Sequence, residues 1–355
     1  MRDDERPLTL EPAGGFEELE AAWRGLAERS GNLFSTWEWA TAWWRHYGDD
    51  RPLLLTACRD GAGETVAILP LYLAFARPVR VARMIGHGPA DQLGPVWAEG
   101  EPGVLQALAG SGPQLGWDVL LAERLPGGTR QATTLGGRPI AHESSPTIAI
   151  EGLSWDEYLG QRSSNFRSQV RRKERKLIRD HGLTYRLSDR PERLGADLDA
   201  LFALHRARWA EDGSGALVGT REAFHRDFAA LALERGWLRL WMAEVEDRAI
   251  AAWYGFRFGG ADWYYQFGRD PEWDQSSIGL VLLAHTVREA IADGQREYKL
   301  LRGGEGYKDR FATGDPGLDT VALARGPKGR AAVAAARTGL ALPGPLRRRL
   351  TGAVK

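Results

Sequence analysis

Between Leu301 and Lys308 the chain sets an arginine, a carboxylate, a phenol and an ammonium, Arg302, Glu305, Tyr307 and Lys308, among glycines at 303, 304 and 306. Such groups can take a proton from a nucleophile, return one to a leaving group and hold an anion. The glycines imply a tight, closely approached backbone around them. The plain alternative is a glycine-stiffened surface loop with Lys308 in solvent. A second stretch, Gln275-Ser276-Ser277-Ile278-Gly279-Leu280, stands where a polar loop opens a helix. Free backbone N–H groups and the helix dipole favour an anion there, with Gln275, Ser276, Ser277, Gly279 and Leu280 as the expected contacts. A serine at a strand-to-helix turn can also be an ordinary N-cap. Asp91 with Gln92, in Gly86-His87-Gly88-Pro89-Ala90-Asp91-Gln92, could act as base or orient a hydroxyl; an aspartate in such a loop more often closes an Asx turn. His205 and Arg206 fall on a helical run, Leu198–Trp209, where a histidine usually packs or caps. The seven histidines show no metal-ligand spacing and there is one cysteine, so no metal is expected.

These groups need elements to hold them. Leu238–Val245 and Ala249–Phe258 are β-rich runs joined across Glu246-Asp247-Arg248, a hairpin signal. Gly259-Gly260 turns the chain into Ala261–Gly268, whose Trp263, Tyr264, Tyr265 and Phe267 suit a pleated surface. The polar loop 269–277 follows, then a helix from Ile278 to about Asp293, stopped by Gly294, and a strand over Arg296–Leu301 that delivers the reactive loop. Upstream, the spacing predicts helices over 16–29 and after Ser35, the second with a Ser35/Glu38 capping box. Strands are expected at Leu53–Cys58, Thr65–Leu73, Val79–Ile85, Trp117–Ala122 and Thr147–Ile150. A long helical stretch from Ser154 to His181 carries arginines and lysines on nearly every face. Its plain reading is a solvated connecting helix; its functional reading is a cluster facing an anionic acceptor or a tRNA.

Three antiparallel strands followed by loop, helix and strand resemble the core of the GNAT acyltransferases. The run Leu204-His205-Arg206-Ala207-Arg208-Trp209, the loop Asp270-Pro271-Glu272 with Gly279-Leu280, and the ending Leu301–Lys308 narrow the resemblance to one bacterial branch. That branch is named for acetyltransferases of cellulose and exopolysaccharide biosynthesis and is related to the aminoacyltransferases of peptidoglycan bridges. Upstream the similarity takes in Phe34–Trp39, Ile68–Leu71 and Gly86–Gly94. It implies an α/β fold of tandem GNAT-like units, mixed and mostly antiparallel sheets flanked by helices. Residues 1–150 would be a degenerate acceptor-side half, 151–325 the unit with the donor site, and 326–355 a flexible basic tail. It further implies an acyl-CoA donor, acetyl-CoA first, bound at Gln275–Leu280, with transfer to a hydroxyl or amine of a cell-surface polysaccharide or its precursor. Glu305 or Asp91 would be the general base and Tyr307 would protonate the departing thiolate. Arg302, Lys308, His205 and Gln92 would bind substrate. The chain departs from the branch at Lys299, where relatives are acidic, and at Ile278, where proline is frequent; its phosphate loop has one glycine. Lys299 would favour an anionic acceptor.

Composition bounds the alternatives. Lys+Arg and Asp+Glu both total 47, which removes a global field for nucleic acid, so sequence-specific nucleic-acid binding is not expected. The N-terminus has no apolar export core and no run approaches the ~20 apolar residues of a membrane span, which points to a cytoplasmic protein. The acid-free basic tail would allow attachment at the inner face of the membrane, where a glycolipid-type acceptor resides. An aminoacyl-tRNA donor is the competing enzymatic reading. A non-catalytic scaffold in polysaccharide assembly is the third.

Overall fold

The computed structural model describes residues 8–75, 77–98, 103–136, 139–209 and 217–337. The chain divides into two units, residues 1–144 with 316–355, and residues 145–315. In the first, β1 (Thr9–Pro12), β2 (Leu53–Arg59), β3 (Thr65–Phe75), β4 (Val81–Met84), β5 (Val96–Trp97), β6 (Val119–Pro126) and β7 (Ala141–Glu143) are joined by β14 (Leu318–Ala324). The sheet runs β1-β2-β3-β4-β6-β14-β7, with β5 on β3. Its described pairs are antiparallel except β4 with β6. Helices α1 (Phe16–Ser30), α2 (Trp37–Tyr47), α3 (Val104–Gly110), α4 (Gly112–Leu115), α5 (Gln131–Thr134) and α11 (Gly326–Arg337) accompany it.

The second unit holds β8 (Thr147–Ala149), α6 (Trp155–Gly160), α7 (Ser164–His181), β9 (Thr184–Leu187), α8 (Pro191–Trp209), α9 (Thr220–Glu234), β10 (Leu238–Val245), β11 (Arg248–Phe258), β12 (Ala261–Arg269), α10 (Ile278–Ala292) and β13 (Glu297–Lys299). Its sheet order is β8-β13-β12-β11-β10-β9. All described pairs are antiparallel except β12 with β13. The β10–β11 turn places Glu246 and Asp247 in the left-handed region, φ 50° and 59°, as a two-residue hairpin requires. Helix α10 is apolar nearly all round, with Ile278, Val281, Leu282, Leu283 and Val287 buried. Each such side chain contributes about 1.5–3 kcal/mol by leaving water. The Tyr298 and Thr286 hydroxyls meet at 2.7 Å and tie this helix to β13.

The fold class holds: two mainly antiparallel sheets flanked by helices, each with three consecutive antiparallel strands (β2-β3-β4 and β10-β11-β12) whose third pairs in parallel with a later strand, β6 after β5, α3 and α4, and β13 after α10. Several expectations need correcting. Strand β8 lies inside 1–150 yet pairs with β13, and β14 lies inside 151–325 yet pairs with β6 and β7. Each sheet is thus completed by a strand that sequence order assigns to the other half. The helical stretch 154–181 breaks at 161–163, and both candidate caps are used: Ser154 closes a capping box with Glu157, and Ser163 caps α7. The Ser35/Glu38 box does not form. Thr36 caps α2 instead, and Glu38 is buried in an ion pair with Arg24. The basic tail begins as α11, whose Ala332 and Val333 pack on the β4–β6–β14 core; residues beyond 337 lie outside the described region. Among the described residues no helix is long and apolar enough to cross a membrane.

Candidate active site

Strand β12 separates from its parallel neighbour part-way along. Pairing runs Ala261 with Glu297, Asp262 with Tyr298 and Trp263 with Lys299, and stops there while β12 continues to Arg269. Past Lys299 the backbone turns away: Leu300 donates to the Pro146 carbonyl (3.0 Å), and Leu301 is left-handed, φ 57°. The separation starts from a fixed point, because buried Asp262 is bonded by the Arg257 guanidinium at 2.6 and 2.9 Å. Burial raises the Asp262 carboxyl while Arg257 draws it back down. Next to the opening, β12 carries a bulge. Tyr254 opposes Gln266 and Gly255 opposes Tyr264, so Tyr265 is the extra residue and the ladder is locally interrupted.

The bulge decides which side chains face α10. Trp253, Tyr264, Phe267 and Tyr298 belong to the core under α10, and the Trp253 and Tyr264 rings stack at 5.9 Å. Gln266 and Tyr265 fall on the other face, against α8 and α9. There the Gln266 Oε1 is 3.0 Å from His205 Nε2, and Tyr265 meets His225 at 4.9 Å. Gly268 lets α8 approach: a Cβ there would sit 2.6 Å from the His205 backbone nitrogen.

The helix start stands beside this strand. Ser277 takes the left-handed conformation at the N-cap of α10 and its side chain makes no cap bond. The first helical bond runs from Val281 N–H to the Ser277 carbonyl, so the N–H groups of Ile278, Gly279 and Leu280 precede the internal ladder. The preceding turn is braced by Arg269 on Asp274 (2.8 Å) and by the Lys173 Nζ on the Gln275 carbonyl (3.0 Å). Gln275 is exposed, while Ser276, Ser277, Gly279 and Leu280 are half-buried. Gly279 serves packing: a Cβ would lie 3.3 Å from the Phe267 ring, so the glycine lets the first turn of α10 rest on β12.

At the far side of the opening lies the loop after β13. The Tyr307 hydroxyl donates to the Tyr264 hydroxyl at 3.3 Å. Burial raises the pKa of both phenols; for Tyr264 the bonds from Tyr307 and the Arg208 guanidinium act in the opposite sense. Glu305 is half-exposed and its carboxylate lies 3.0 Å from the Lys308 ammonium. It folds back under Gly303, φ 121°, where a Cβ would meet its Oε2 at 2.3 Å. Lys308 is not a solvent-facing anion ligand. It is 3% exposed, and its Nζ also bonds the carbonyls of Leu301 (3.3 Å) and Arg302 (2.8 Å), so it clamps the end of the strand to the loop. Arg302 is half-buried in the same loop.

His205 is fully buried on the α8 face, and burial lowers its pKa to about 4. It is a neutral packing histidine bonded to Gln266, not a substrate ligand. Lys299 is likewise committed: its Nζ is 3.3 Å from Glu297 and 4.4 Å from the Trp263 ring centre, which removes its expected influence on the acceptor. Asp91 and Gln92 belong to the first unit, half-buried in a loop whose Gly88 carbonyl accepts from Arg124 (3.0 Å) and whose His87 carbonyl accepts from Trp43 (2.9 Å). Within the second unit the structure joins Arg302, Glu305, Tyr307 and Lys308 in one loop, with the Tyr307 hydroxyl bonded to Tyr264 of β12. Two participants went unread in the sequence, Tyr264 and Arg208. Tyr264 looks like one aromatic strand residue among four, and only the bulge reveals its facing.

Residues 164–309 match the family described as Acetyltransferase (GNAT) domain. The matched stretch runs from α7 through β13 and takes in the opening, the α10 start and the loop that follows β13. No curated protein matches the chain. Among solved structures, FemX aligns with a TM-score of 0.61 at 12% identity, over 89% of this chain and 95% of that one. The C-terminal domain of a protein named as a lysylphosphatidylglycerol synthetase, from Agrobacterium fabrum, aligns at 0.59 and 11% identity, over 90% and 96%. L-PGS from Bacillus licheniformis aligns at 0.55 and 12%, over 93% and 97%. At these identities the likeness is one of fold.

Proposed function

We propose that the chain transfers an acyl group, acetyl first, from acyl-CoA to a hydroxyl or amine of a cell-surface polysaccharide or its precursor, as in the cellulose and exopolysaccharide branch. The observation that carries the reading is the opening between β12 and β13, flanked by the α10 N-terminus and by the Tyr264–Tyr307 pair. The α10 N–H groups, with Gln275, Ser276 and Ser277, suit a pyrophosphate. A thioester reaching into the opening would end at the two phenols. Glu305, half-exposed, is the base for the acceptor proton, and the phenol pair is the proton source for the thiolate. Arg302 remains a candidate for the acceptor's anionic or polar groups. The acceptor is a glycan or glycolipid-type molecule, and a membrane-surface location through the basic tail fits that class.

The test is acetyl-CoA supplied with a panel of amino and neutral oligosaccharides. Glu305→Gln and Tyr307→Phe should each lower turnover while leaving donor affinity intact. Full turnover in both variants sinks the assignment. One observation favours the aminoacyl-tRNA donor as second reading: Arg172 and Lys176, one turn apart on α7, are exposed on the helix whose Lys173 touches Gln275. Such exposed cations, spaced along a helix, suit the repeated phosphates of a tRNA backbone.

A further inference from the structure

One end of the first unit's sheet gathers cations. Val81 pairs with Val119, and Val119 with Ala324, so Arg80, Asp118 and Arg325 stand side by side just outside those pairs. Backbone bonds fix them: the Asp118 N–H donates to the Arg80 carbonyl and the Arg325 N–H to the Asp118 carbonyl, both at 2.8 Å. Helix α11 starts next and is seated on the same edge. Gly329 is buried, and a Cβ there would collide with the Asp118 carbonyl oxygen. Ala332 and Val333 then pack on the β4–β6–β14 core. The helix therefore holds Lys328 at the strand ends. Arg77, Arg80 and Lys328, all exposed, line a concavity of about 720 Å³ together with Pro78 and Asp118, a volume in the range of small-ligand sites. Asp118 is the one carboxylate of that lining, and Arg80 occupies it: it accepts from the Arg80 backbone N–H at 2.9 Å and from the guanidinium at 3.2 and 3.3 Å. These bonds hold its carboxyl below the usual range, with a smaller push from Lys328. Arg77 and Lys328 are left in excess. The sequence offers no further compensation, since residues 65–90 and 320–355 contain no acid.

We propose that this concavity docks the phosphate groups of anionic phospholipid headgroups and so seats the first unit on a membrane surface. Arg77 and Lys328 meet the phosphate oxygens, while Arg80, fixed by Asp118, shapes the wall. Charge complementarity carries the proposal, and exposure selects the source of the phosphate. Solvated cations hold a lone soluble phosphate weakly. A membrane presents many phosphates at once, and each cation near its surface adds to the attraction. The proposal gives the membrane location named above a surface of its own, and it does not depend on acyl transfer.

Vesicle flotation of the full chain tests it, with phosphatidylcholine alone and with phosphatidylcholine and phosphatidylglycerol at about 7:3. The chain should float with the anionic vesicles only and be released as salt rises toward about 0.5 M, where screening is short-ranged. Arg77→Gln/Lys328→Gln should weaken binding about 25-fold, roughly fivefold for each cation removed. Arg77→Lys/Lys328→Arg keeps both charges and should keep the binding. The 25-fold loss should recur in a chain whose Arg347, Arg348 and Arg349 are changed to serine, which separates the concavity from the basic residues after it. A glutamine double variant that floats as well as its parent, at the parent's melting temperature, overturns the proposal. So does a wild type that floats with neither vesicle, or one that takes up sn-glycerol 3-phosphate or pyrophosphate in a calorimeter without floating. Acetyl-CoA titration of the same proteins reads the acyltransferase assignment separately. Vesicle binding lost with donor binding intact strikes only this proposal, and the reverse result strikes only that assignment.

Discussion

Lys308→Met separates a clamp from a ligand. In the structure the buried ammonium bonds the Leu301 and Arg302 carbonyls and the Glu305 carboxylate. Methionine matches its length and recovers the cost of burying a charge, but it leaves two carbonyls without their donor. Each acceptor stranded in this way costs about 1–3 kcal/mol. The Glu305 pair adds little because its carboxylate is 51% exposed. With one carbonyl partly rehydrated by loop movement, the net loss is about 2–4 kcal/mol. For a unit of this size that corresponds to roughly 4–16 °C of melting temperature, at ~2–4 °C per kcal/mol. Thermal unfolding monitored by tryptophan fluorescence reads it directly. Turnover should fall as well, since the same clamp sets where Glu305 and Tyr307 stand. An unchanged melting temperature together with lost donor or acceptor affinity would refute the clamp and return Lys308 to the role of an anion ligand.

Two further outcomes follow from the same geometry. Gly279→Asp should abolish the stabilisation given by acetyl-CoA, because a side chain there meets the Phe267 ring and adds a negative charge at the α10 start; unaltered donor binding by isothermal titration would displace the donor site. Burial lowers His205 to about 4, and His225 and His285 to about 3. Their folded pKa values lie below the unfolded value near ~6.5, so the unfolded state takes up protons first. The stability they confer is complete above that value and is lost as pH falls toward 4, at roughly 2 kcal/mol per histidine between pH 6.5 and 5. Urea midpoints at pH 7.5 and 5.0 measure the drop, and equal midpoints would mean the imidazoles are not buried neutral.

Much of the second unit could be read in the residues. The alternation and turn chemistry of Leu238–Gly268 and the Gly294 stop of α10 are local signals, and the elements lie where those signals put them. What escaped was non-local. Nothing within Thr147–Ala149 or Leu318–Ala324 says which sheet will take the strand, because the partners are far along the chain and both sheets offer an open edge. The single residue inserted at Tyr265 changes which face Tyr264 occupies relative to Gln266, and a bulge has no fixed sequence signature at that spacing. Side-chain burial was equally hidden. Lys308, His205 and Lys299 are polar residues whose partners are backbone carbonyls, a glutamine and a tryptophan ring set by tertiary packing. The Arg302–Lys308 loop was legible as a group, but the division of labour within it was not.

Whether acyl-CoA is the donor bound at the start of α10 is decided by a donor-binding measurement. Acetyl-CoA, CoA and aminoacylated tRNA are titrated against the full chain while thermal unfolding is followed at two salt concentrations. Acetyl-CoA at a hundredfold excess over its Kd should stabilise the protein by about 2.7 kcal/mol, and Gly279→Asp should remove the effect. Stabilisation by aminoacylated tRNA alone, falling steeply with salt, would contradict the claim.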